Sequence, residues 1–299
     1  MNKNWTLLSR LPAHWLLATP ALVLLLFFFW VPIILLVRVS FYAGGGNSGF
    51  GIGGGGFYEP GTWTLEAYQF LFQDSYFYEV LTFTVALGIS LTLLILLLAY
   101  PLSLVIHRLP LWLKSIALAA VILPKLANPL IVIYGIQLLL SHSGPINQAL
   151  VGLGIVSAPL MLFHNFTGVV IGGVYAIVPY AVLILVTALD RIDANLLPAA
   201  RGLGASSWQA FWRVTFPLSL PGLTLAAMLS SIFALGLLEA PSLLGSPQEI
   251  TLAVDIRKQT FENLNWPRGA AEAAIVLVAV GICMTMYALS SRWAIRRRS

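Results

Sequence analysis

Long apolar runs separated by short polar punctuation make up most of this chain. Six of them reach the roughly 20 consecutive apolar residues that a membrane-crossing helix needs. They lie at roughly 16–37, 80–106, 115–140, 168–189, 218–238 and 270–291. Within lipid every backbone donor and acceptor must be satisfied inside its own segment, so these runs predict helices rather than strands. The first run exceeds the apolar core of a cleaved signal, roughly 7–15 residues. It continues as "VRVSFYAGGG" with no A-x-A site, which predicts a retained first span.

The loops carry their own pattern. Residues 41–78 open with the glycine-rich stretch 43–56, a flexible spacer. "WTLEAYQFL" follows and predicts a short helix at headgroup level. "GPINQALVGLGI", in the loop 141–166, predicts a second interfacial helix, and residues 239–269 are the most polar stretch.

Composition agrees with this division. Of 299 residues, 59% are hydrophobic and 9% charged, with mean hydropathy +0.90. Soluble domains are about 25% charged, so most of this surface must face lipid. The net charge of +5 does not mark a nucleic-acid binder, because the basic residues punctuate apolar runs. With six spans, eleven Lys and Arg fall on one side: Lys3, Arg10, Arg108, Lys114, Arg191, Arg201, Arg213, Arg292, Arg296, Arg297 and Arg298. Four fall on the other side, Arg38, Arg257, Lys258 and Arg268, and Lys125 lies within the third run. The positive-inside rule then places both termini in the cytoplasm. The single cysteine, Cys283, reads as a small buried hydrophobe.

Catalytic patterns are missing. No G-x-x-x-x-G-K-[ST], H-E-x-x-H or G-x-S-x-G occurs, and no metal-spaced histidine or cysteine set. Proton-driven pumps place ionisable groups deep in several spans, whereas here only Lys125, Glu239 and Glu272 lie near apolar runs. The chain has the architecture of a pathway and no engine of its own.

Residues 193–217, between the fourth and fifth runs, predict a helix–turn–helix elbow. Asp193 or Asn195 can cap its first helix, Ala199 and Ala200 give that helix a low-relief face, and Gly204 suits a left-handed end. Ser206 can cap a second helix whose Trp208, Phe211 and Trp212 share one side. Pro217 and Pro221 follow at the start of the fifth run. By physics alone this is equally a hairpin that anchors two spans or a docking surface.

One resemblance separates the two. Ala199, Ala200, Gly204, Val214, Phe216 and Pro217 stand at the spacing of E-A-A-x₃-G-x₉-I-x-L-P, the signature loop of permease subunits of bacterial ABC importers. "LGAS" at 203–206 and "PLSLPG" at 217–222 are similar too, while Pro198 replaces the usual Glu. Residues 128–155, 172–193 and 266–278 resemble the spermidine/putrescine permease group. The resemblance implies an all-α fold of six transmembrane helices of the type I importer permease kind, forming one permease domain in the bacterial inner membrane. It implies an elbow that couples to a separate ATPase through Pro198, Ala199, Ala200, Arg201, Gly204, Ala205, Ser206, Trp208, Phe211, Trp212 and Pro217. It further implies four kinds of partner: a second, related permease chain, two ATP-binding cassette subunits, a periplasmic binding protein and the lipid bilayer. ATP and Mg would bind on the cassette subunits, with no cofactor in this chain.

The solute is read as a polyamine, with an aminophosphonate, ferric iron or another organic cation as the alternatives, since relatives for those solutes share much of the pattern. An ion-coupled secondary transporter and a membrane-embedded enzyme are the readings from other classes. Glu239 can attract a cationic solute or be an ordinary headgroup-level carboxylate. Tyr134 and Gln137, at i and i+3, can line a polar seam or bond neighbouring helices. Asn128 is the remaining candidate for the solute path, and Lys125 opposes a polycation unless a carboxylate neutralises it.

Overall fold

The computed structural model describes residues 13–44, 57–59 and 61–296. Most of the glycine-rich spacer, 45–56, lies outside them, as do Lys3, Arg10, Arg297 and Arg298. The described residues fall into two compact units, one formed by the chain up to Gln73 with 259–274, the other by 74–258 with the remainder.

In the first unit α1 (Ala13–Val39) exposes large apolar side chains from Leu22 to Val37, as a lipid-facing helix does. Ser40 closes it, donating to the Val37 carbonyl at 2.6 Å and meeting the Tyr68 hydroxyl at 2.8 Å. The short strands β1 (Ala43–Gly44) and β2 (Tyr58–Glu59) pair antiparallel, with Ala43 opposite Glu59. Around them Tyr42 stacks on Tyr58 at 5.2 Å and Phe57 on Trp266 at 5.0 Å. α2 (Glu66–Gln73) is the helix expected within "WTLEAYQFL".

The second unit begins with α3 (Ser75–Arg108), capped by Asp74, whose carboxylate accepts from the Tyr76 N–H at 3.0 Å. α4 (Leu111–Ile122), α5 (Pro129–Leu140), α6 (Pro145–Gly152) and α7 (Phe166–Asp190) follow. Next come α8 (Leu196–Gly202), α9 (Ser207–Ala210), α10 (Phe216–Leu235), α11 (Glu239–Leu244) and α12 (Leu252–Arg257). The last helix, α13 (Trp266–Arg296), runs through both units.

Among the described residues, six segments are long and apolar enough to cross a membrane. The third differs from expectation. A continuous helix over 115–140 is not formed, because a 3₁₀ turn, Leu123–Leu126, separates α4 from α5. Pro124 and Pro129 each lack the N–H a continuing helix needs, and the residue before a proline is pushed out of the helical region. Asn128 is accordingly extended, at φ −60° and ψ 126°, and its side chain caps α5 through the Leu130 N–H at 2.9 Å. The fifth predicted span also ends early. α10 stops at Leu235, and Glu239 begins α11 instead of closing the span.

The core of this unit lies where α3, α7 and α10 pack, with Leu87, Leu91, Ile95, Val182, Leu185 and Ala226 fully buried. α7 is the innermost span, half of its most apolar stretch being buried. Lipid offers no hydrophobic gain for bringing helices together, so close backbone approach and polar stitches must hold them. Gly222 of α10 lies directly on Ala188 of α7. Thr92 meets Ser231 at 3.1 Å, and the Tyr100 hydroxyl meets Ser219 at 2.8 Å. Bonds of this kind average about 0.6 kcal/mol each.

Candidate functional sites: the elbow and the Glu239 cavity

The elbow rests on a charged junction. Asp190, the last residue of α7, lies 2.6 Å from His107 Nδ1 at the end of α3 and accepts from Lys114 Nζ of α4 at 2.5 Å. Three helix ends are thus tied at one carboxylate. Beyond it Asp193 turns the chain, accepting from the Asn195 N–H at 2.9 Å. Asn195 stands at the start of α8 but its side chain does not cap it, because its own backbone is already helical at φ −79° and ψ −18°. Pro198 sits in the first turn of α8, where an N–H has no helical partner to lose.

α8 ends in a Schellman motif. The Ala205 N–H donates to the Ala200 carbonyl at 3.1 Å and the Gly204 N–H to Arg201 at 2.9 Å. Gly204 takes the required left-handed backbone, φ +88°. Two residues on, Ser206 and Gln209 form a reciprocal capping box, with bonds of 3.2 and 3.0 Å. Gln209 is not among the residues named from sequence, although S-x-x-Q is a readable capping pattern. Within the first lock Leu203 is 90% exposed, and within the second Trp208 is 70% exposed.

The aromatic side is larger than the i, i+3, i+4 spacing indicates. Trp208 packs with Phe211 and Trp212, and Trp212 meets Phe216 at 4.9 Å. Tyr100 of α3 reaches Phe211 and Phe216 edge-on at 6.4 and 6.0 Å, so the elbow is anchored on the core bundle. Phe211–Thr215 forms a π turn closed by the Phe216 N–H on the Phe211 carbonyl. Its cause is Pro217, whose ring would clash with the Arg213 carbonyl in a regular helix and which offers that carbonyl no N–H.

The solute-path candidates are not brought together. Tyr134 is exposed on α5, Gln137 is half-buried one turn on, and Asn128 spends its side chain on capping. Glu239 instead lines a cavity of about 40 Å³ with Lys125, Pro124, Tyr175 and Leu237. Glu239 is the charged group acting on Lys125.

The family model described as "Binding-protein-dependent transport system inner membrane component" matches residues 99–296, a range that contains both sites. The chain belongs to that family. It is therefore a transport permease subunit and a multi-pass membrane protein. Among relatives of this permease, the spermidine/putrescine transport system permease protein PotB of Escherichia coli K12 is 33% identical over 229 residues, covering 77% of this chain and 83% of the relative. The Haemophilus influenzae protein of the same name is 31% identical over 263 residues, 88% of each. A chain of a bacterial alginate ABC transporter, crystallised with an alginate pentasaccharide-bound periplasmic protein, superposes with TM-score 0.74 at 18% identity, over 97% of this permease and 98% of that chain. The six-span helical fold is that of ABC transporter permeases.

Proposed function

We propose that this permease is the membrane half of an ATP-driven importer in the bacterial inner membrane. A periplasmic binding protein delivers the solute, a polyamine, and a second permease chain completes the pathway. ATP and Mg are bound by two separate cassette subunits, which dock on the elbow. The observation that carries this reading is the elbow's construction. A Schellman turn and a capping box hold Leu203 and Trp208 outward on a support that is anchored to the bundle by Tyr100. An apolar tip held on so rigid a base suits docking into a partner's groove, because its preorganisation lowers the cost of binding. The polyamine assignment rests on the 31–33% identity to proteins named as spermidine/putrescine permeases.

A detergent pull-down with the neighbouring operon's ATPase tests the docking. Wild type is expected to capture the ATPase, and Gly204→Asp to insert normally but lose capture at least tenfold. Aspartate strains the left-handed turn and adds charge at the tip. Equal capture by both would move the docking surface elsewhere. Solute transport by the purified chain without any ATPase would replace the importer reading by an ion-coupled one.

A further inference from the structure

The surroundings of Lys125 form a cation receptor. Its ammonium lies over the ring of Tyr175 at 5.2 Å and over the ring of Tyr180 at 5.5 Å, both within cation–π range. Neither ring is loosely placed. The Tyr175 hydroxyl donates to the Pro124 carbonyl at 3.0 Å, and Tyr180 stacks on Phe233 at 5.0 Å with an interplanar angle of 18°. Glu239 supplies the negative charge from the wall of the same cavity. Two aromatic faces meet one ammonium group, a carboxylate lines the cavity beside it, and that ammonium belongs to the chain itself.

We propose that Tyr175, Tyr180 and Glu239 form a binding site for a primary ammonium group, filled here by Lys125, and that an ammonium of the solute displaces Lys125 as it passes. This rests on the polyamine reading and gives it a place in the chain. Charge favours exchange over addition. Lys125 and Glu239 are balanced, and a second cation would leave one uncompensated charge in a half-buried place. A tethered competitor also answers how a lysine can stand in a path for cations. It keeps the rings and the carboxylate satisfied while no solute is present, and it lowers the affinity for solute enough to allow release.

The test uses the assembled permease–ATPase complex without its binding protein and measures equilibrium binding of radiolabelled putrescine. Lys125→Ala is expected to tighten binding by about tenfold, the worth of one desolvated cation–π contact. Tyr180→Leu or Glu239→Gln, added to Lys125→Ala, is expected to reverse that gain, and Glu239→Asp to retain most of it. Capture of the ATPase by each variant reports that it is folded. Uptake of putrescine by membrane vesicles carrying the complete transporter is scored separately. Uptake by wild type with binding indifferent to Lys125→Ala overturns the receptor and leaves the polyamine reading standing. Binding that responds to Lys125 without any uptake upholds the ammonium site and overturns the polyamine reading. Neither uptake nor binding overturns both.

Discussion

A methyl group at Gly204 would project into open space, whereas one at Gly222 would run into the Cβ of Ala188. The two glycines thus answer to different constraints. At Gly204 only the left-handed backbone matters, worth about 1–2 kcal/mol and confined to the elbow's tip. At Gly222 the helices α7 and α10 would have to separate, an overpacking cost of about 1–3 kcal/mol in the core. Gly204→Ala is therefore expected to melt close to wild type in detergent while capturing less ATPase. Gly222→Val is expected to melt several degrees lower. A common melting temperature for both variants would show that the α7–α10 contact yields more than this packing implies. Gly204 was legible in the sequence because it ends a helix before a serine cap. Gly222 was not, since no local pattern says which face of a span meets another span.

Among the elements, the π turn Phe211–Thr215 and the break at Leu123–Leu126 share a cause in proline. Pro217→Ala restores an N–H to the Arg213 carbonyl and allows a regular helix. One residue fewer per turn rotates everything before it by about 100° relative to α10. Trp208 and Leu203 would then face a different direction. The expected outcome is a variant that is folded and inserted but hydrolyses ATP without importing solute, read as the ratio of uptake to hydrolysis. An unchanged ratio would mean that the turn's width is incidental. Apolar length alone located most spans, but it treated 115–140 as one helix because hydropathy weighs side chains and ignores missing donors. Pro124 and Pro129 were the visible signals. The cation receptor was beyond reach for another reason: Lys125, Tyr175, Tyr180 and Glu239 come from three separate parts of the chain.

At the scale of the whole molecule, the distribution of Lys and Arg makes a statement about sidedness that labelling can check. In a Cys283→Ser background, Leu203→Cys at the elbow and Leu153→Cys just beyond α6 offer thiols at positions 90% and 75% exposed. An impermeant thiol reagent is expected to reach Leu153→Cys in right-side-out vesicles and Leu203→Cys only in inverted ones. Reaction of both from the same side would overturn the topology and, with it, access of a cytoplasmic ATPase to the elbow. The six spans themselves depend on composition and length and would survive that result.

The carboxylate of Asp190 has a mechanical consequence. It holds Lys114 in the first turn of α4, and α4 leads directly into the turn that carries Lys125, about 16 Å farther along the helix axis. A helix held at one end and bearing a charged group at the other is a push-rod. Any displacement imposed on the end of α7 must either break the ion pair or travel along α4 to the aromatic pair that holds Lys125. Force applied on one face of the bundle thus arrives, about three helical turns away, as a tug on the residue that fills the cation site.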